Sequence, residues 1–194
     1  MTGAAAAAPQ RIAAPARVAP DQPAPRSVTE QFCGTWQLVS WKIQQADGKL
    51  IESPLGGDPR GSIMYDGRGH MSVALMRPDR PRFASDNLTD ATPEEIAAAF
   101  AGYVSYCGSY EVNEQQRFVM HRIELSWFPN LVGTQQKRFF ALEGDRLTLE
   151  TPPLTLLGDA QVHRLVWQRL SGGVSLDQPD VGARGFSSPA RTSS

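Results

Sequence analysis

Between about residue 29 and residue 171, apolar and polar side chains alternate in short runs, most of them closed by a turn pair. From Phe118 to Trp127, Val119, His121, Ile123, Leu125 and Trp127 form one set, and Phe118, Met120, Arg122, Glu124 and Ser126 the other. A period of two is the signature of a strand, because successive side chains leave opposite faces of a sheet. The same alternation predicts strands near 34–45, 61–66, 69–77, 104–112, 117–127, 134–143, 145–151 and 161–169, with a small ribbon about Lys49 to Glu52. Asp47-Gly48, Asp66-Gly67, Gly144-Asp145 and Gly158-Asp159 lie between such segments and suit tight hairpin turns. The predicted fold class is all-β, an eight-stranded antiparallel up-and-down barrel whose interior has room for one small ligand.

One helix interrupts the meander, between the third and fourth barrel strands. Thr92-Pro93-Glu94-Glu95 offers a capping hydroxyl, a proline at the first helical position and a glutamate at the third. The helix is expected from Pro93 to about Tyr103. Ile96, Phe100 and Tyr103 share a face, which is expected to lie on the barrel, where the helix could plug an end.

Composition changes the picture at the ends. Residues 1–28 are mostly alanine, proline and arginine, and residues 172–194 mostly glycine, serine, proline and aspartate. Neither has enough large apolar groups to offset its ordering entropy, so both are expected to be disordered tails around a single domain at 29–171. The net charge is −1 and no lysine or arginine run stands out, which argues against a nucleic-acid partner. No apolar run approaches the roughly 18 residues of a membrane span, so no membrane partner is expected, and the cytoplasm is the simplest address. A homodimer is compatible with the sequence. Cys33 and Cys107 are read as free thiols, with a disulfide open if their strands are neighbours. His70, His121 and His163 are scattered, so neither a metal site nor a cofactor is expected.

Four stretches carry a family resemblance. Gly34-Thr35-Trp36 opens the first strand. His70-Met71-Ser72-Val73-Ala74-Leu75-Met76-Arg77-Pro78-Asp79-Arg80-Pro81, Gly102-Tyr103-Val104-Ser105-Tyr106-Cys107-Gly108-Ser109-Tyr110-Glu111 and Phe128-Pro129-Asn130-Leu131-Val132-Gly133-Thr134 then follow in order. Together they resemble the lipocalin-like domain family of bacteria and fungi, within the calycins, from about Phe32 to Arg169. The resemblance implies that Trp36 closes the barrel floor and that an arginine of the last strand, Arg164 or Arg169, lies across it. The threonine-aspartate-tyrosine region of secreted lipocalins is not found here, which makes kinship to those carriers distant.

Parity then assigns a lining. His121 travels with the apolar set of its strand, Tyr106 and Tyr110 with Val104 and Val112, Arg138 with Phe140 and Leu142, and Arg77 with Met71, Val73 and Leu75. Tyr103 could hang from the helix into the cavity. The candidate ligand-binding residues are therefore Tyr106, Tyr110, His121, Arg138, Arg77 and Tyr103. His121 either faces a ligand or is a core histidine satisfied by a tyrosine. An arginine among apolar neighbours needs an anion, which Glu111 or a bound ligand would supply. The loop Arg77 to Arg82 either draws anionic ligands to the mouth or pairs its own charges. Such a lining suits a small, largely apolar molecule with an acidic or carbonyl group, bound by a carrier. Two alternatives stay open. One is a cofactor-independent isomerase or cyclase of specialised metabolism, as the calycin relatives suggest, and the other is a structural barrel without a ligand.

Overall fold

The computed structural model describes residues 26–156 and 159–170; both expected tails fall outside this range, apart from Arg26 to Val28, as does the Leu157-Gly158 part of the last turn. The chain opens with helix α1 (Val28–Phe32) and continues through β1 (Gly34–Gln45), β2 (Leu50–Glu52), β3 (Arg60–Tyr65) and β4 (His70–Met76). Helix α2 (Pro93–Ala101) then leads into β5 (Tyr103–Asn113), β6 (Phe118–Ser126), β7 (Gln135–Glu143), β8 (Arg146–Glu150), β9 (Leu154–Leu156) and β10 (Asp159–Arg169). Each expected strand is present within a residue or two of its predicted bounds. Neighbours pair antiparallel in the order β1-β3-β4-β5-β6-β7-β8-β10, and β10 returns to β1 to close an eight-stranded barrel, with β2 and β9 as short outer ribbons.

The floor is built by an element that alternation cannot reveal. Ser27 and Glu30 form a capping box that starts α1, a single turn that delivers Phe32 into the barrel end. Phe32 is fully buried and meets the rings of Tyr65 and Phe140 edge-on at 5.3 and 4.9 Å. Its carbonyl accepts the Trp36 indole N–H at 2.9 Å. Of the two arginines open to the role across Trp36, Arg169 fills it, its guanidinium 4.0 Å from the ring centre. Arg164 lies outside, paired with Glu150.

Helix α1 thus closes the end at the β3–β4 turn, whereas α2 joins β4 to β5 at the opposite end and does not plug it. Helix α2 has its predicted cap and proline, yet none of its residues is buried and Ile96 is 54% exposed. It lies against the outer wall, where Phe100 stacks on Trp127 at 5.7 Å.

A bulge in β6 sets the local geometry of the wall. Cys107 pairs with Leu125 but Gly108 pairs with Ile123, so Glu124 is an extra residue. Gly108 is required there, because a Cβ would lie 2.0 Å from the Arg122 carbonyl oxygen. The bulge turns the strand over. Ile123 remains buried, whereas Leu125 is 68% exposed and Trp127 packs outside under α2, which corrects the inward placement of both.

Candidate ligand-binding site

Around the bulge, inward side chains of five strands converge. Tyr65 comes from β3, Tyr106 from β5, His121 from β6, Arg138 from β7 and His163 from β10. The Tyr65 hydroxyl lies 2.9 Å from His121 Nε2, and the Tyr106 hydroxyl 3.3 Å from Nδ1. On the opposite wall the Trp41 indole N–H donates to His163 Nδ1 at 3.3 Å. Tyr65 and His121 are buried, while Tyr106, Gln136, Arg138 and His163 point inward but are only half-buried. These four half-buried side chains, with Tyr65 and His121, outline the candidate site.

Hydrogen-bond bookkeeping fixes the direction of the relay. Tyr65 is enclosed, and among the described residues its hydroxyl proton has one acceptor within reach, His121 Nε2. A neutral imidazole that accepts at Nε2 carries its proton at Nδ1. That N–H therefore donates to the Tyr106 oxygen, and the Tyr106 proton is left without an acceptor among the described residues. The same reasoning puts the proton of His163 at Nε2, an enclosed atom with no partner among the described residues.

Burial, reinforced by the positive charge of Arg138, pushes the His121 pKa down to about 3. The same two causes hold His163 below its usual range. Burial raises Tyr65 well above its usual range, with Tyr106 adding to the effect and Arg138 opposing it. Both imidazoles are neutral at pH 7, and the guanidinium supplies the positive charge of the site.

Arg138 itself is held locally. Its Nη1 donates to the Lys137 carbonyl at 2.8 Å and its Nη2 reaches Gln136 Oε1 at 3.5 Å. Among the described residues it has no carboxylate partner, since Glu111, the candidate acid, pairs with Arg122 on the outer face at 2.9 Å.

Of the six residues expected to line a site, three gather here: Tyr106, His121 and Arg138. Tyr110 points inward lower down, where its hydroxyl donates to the Asp66 carbonyl at 2.7 Å near the floor. Arg77 lies past the end of β4, half-exposed and paired with Asp79 at 3.1 Å, so the loop pairs its own charges. Tyr103 faces outward beneath the Arg80 guanidinium, 5.3 Å from its ring centre, and lines an outer groove of about 430 Å³ with Ser105, Cys107 and Leu125. His163 and Trp41 were missed. The signal was available in β10, where His163 shares parity with Leu165 and Trp167. Cys33 and Cys107 are free thiols.

The sequence model of the lipocalin-like domain family matches residues 33–170, which is the barrel and little else. The chain belongs to the lipocalin-like domain family. Among curated proteins, this lipocalin-like chain is 36% identical over 107 residues to the 4'-hydroxy-3'-methoxypropiophenone carrier protein ppsC of Aspergillus oryzae, an alignment covering 52% of this chain and 96% of that one. Among solved structures, a lipocalin-like protein from Bacteroides uniformis aligns over 72% of this chain and 98% of its own, at 14% identity and a TM-score of 0.38. No helix among the described residues is long and apolar enough to cross a membrane.

Proposed function

We propose that this lipocalin-like barrel is a carrier that binds one small, largely apolar molecule through an acidic or carbonyl oxygen seated at Arg138. The observation that carries the reading is an inward, half-buried guanidinium without a carboxylate partner among the described residues. A charge removed from water and left unpaired is costly, and a ligand anion or strong acceptor offsets that cost. Tyr106 supplies a second donor, while Trp41, Leu75, Val104 and Ile123 supply apolar wall. The relative in Aspergillus oryzae, described as the carrier of an aryl ketone, supports an aromatic ketone as the ligand class and specialised metabolism as the setting.

The arrangement favours binding over an isomerase or cyclase. Proton abstraction needs a base near neutrality, and His121, with its pKa held near 3 and its acceptor nitrogen committed to Tyr65, is a poor one. The test is titration of 4'-hydroxy-3'-methoxypropiophenone into the protein, followed by Trp fluorescence, with Arg138→Met alongside. The expected result is saturable binding that weakens at least tenfold in the variant while its melting temperature holds. Equal affinity in both proteins removes Arg138 from the site.

A further inference from the structure

Resting on that reading of the site, we infer that the barrel recognises its ligand's oxygen as an anion, drawing an acidic phenol or enol into its deprotonated form as it binds. The donors and acceptors around Arg138 carry it. Tyr106 presents an O–H, because its oxygen already accepts from His121 Nδ1. His163 offers the ligand no acceptor, because Nδ1 accepts from Trp41 and Nε2 is enclosed. Arg138 presents the guanidinium. The side chains facing it are Tyr65 from β3, Tyr106 from β5, His121 from β6 and His163 from β10. Gln136 Oε1 is already turned to the guanidinium, and Lys137 points away, over the rings of Phe118 and Phe139.

This set is rich in protons and poor in acceptors. A neutral phenol placed there brings an O–H of its own that would go unpaired, a cost of one buried unsatisfied donor. A phenolate or enolate oxygen brings only lone pairs and a charge, which suit the guanidinium of Arg138 and the O–H of Tyr106. Neither histidine takes up a proton in the range where acyl phenols ionise, because burial and Arg138 hold both low. The ligand is then the group that titrates on binding, and its proton leaves to bulk water. A para-acyl phenol suits such a site well, since its negative charge spreads onto the ketone and the anion tolerates partial burial.

The experiment uses two probes, 4'-hydroxy-3'-methoxypropiophenone and its 4'-methyl ether, which cannot ionise. Absorbance spectra of the free and bound phenol are recorded across pH 5 to about 10, since the phenolate absorbs at longer wavelength. The expected result is a phenol pKa at least one unit lower in the complex, loss of that shift in Arg138→Met, and at least tenfold weaker binding of the methyl ether at pH 8. A bound phenol with the neutral spectrum at a pH where the free phenol is half-ionised, together with equal affinity for the ether, overturns the inference and leaves the carrier reading standing. Binding of neither probe overturns both.

Discussion

Arg169 lies across Trp36 where the first and last barrel strands pair, the two residues directly opposite each other in the β1–β10 register. Besides covering the indole, its guanidinium donates to the Cys33 carbonyl at 2.7 Å, to the Gln31 carbonyl, and to Asp145 at 3.0 Å. One side chain thus ties α1, the closing seam of the barrel and the β7–β8 turn together.

Trp36→Ala is expected to cost roughly 3–5 kcal/mol, the range for removing a large aromatic from a packed core. Arg169→Met keeps much of the apolar stem over the ring but leaves two carbonyls short of a donor, and is expected to cost about 2–3 kcal/mol. Urea denaturation measures both. A change within about 0.5 kcal/mol for Trp36→Ala would show that α1 and Trp36 do not close the floor.

The buried His121 makes stability depend on acid. Its folded-state pKa near 3 lies below the usual 6.5, so between those values the unfolded chain binds a proton that the folded chain refuses. Stability contributed in this way is complete above pH 6.5 and falls as pH drops toward 3, at up to about 1.4 kcal/mol per pH unit. His121→Gln keeps a donor and an acceptor but cannot titrate. Comparing the two proteins' unfolding free energies at pH 7 and pH 5 should show the wild type losing more, by about 2 kcal/mol. Parallel curves would mean that the imidazole is not enclosed.

The β6 bulge predicts opposite outcomes for two leucine-like positions two residues apart. Ile123→Ser should destabilise by about 2–4 kcal/mol, as a polar group replaces a core side chain, whereas Leu125→Ser should stay within about 0.5 kcal/mol. Gly108→Ala, which drives a methyl into the Arg122 carbonyl, should cost about 3 kcal/mol or prevent folding. Equal sensitivity at 123 and 125 would restore unbroken alternation along β6.

Tyr106→Phe separates the relay from the core. Tyr106 is half-buried and its oxygen only accepts from His121, so the variant should lose about 1 kcal/mol of stability. Affinity for 4'-hydroxy-3'-methoxypropiophenone should fall by about tenfold, since one donor to the ligand oxygen is gone. Calorimetric titration checks it. Unchanged affinity would place the ligand elsewhere in the barrel.

Alternation and turn residues by themselves determined the eight barrel strands, their order and the start of α2, because these are written locally: a side-chain period of two, Asp-Gly pairs, and a capping threonine before a proline. They also placed His121, Tyr106 and Arg138 inside, since parity carries along any regular strand. Tertiary structure decided the rest. The flip at Leu125 and Trp127 depends on one extra residue set against Gly108 of a neighbouring strand, and no pattern within β6 announces it. Helix α1 is too short to show a period, and its role comes from Phe32 meeting Tyr65 and Phe140 from distant strands. Arg138 was recognisable as a charge in need of an anion, but its lack of an acid partner followed only from Glu111 turning outward to Arg122. His163 entered the site through barrel closure, which brings β10 beside β1 and Trp41, a contact across 122 positions of chain that local sequence cannot encode.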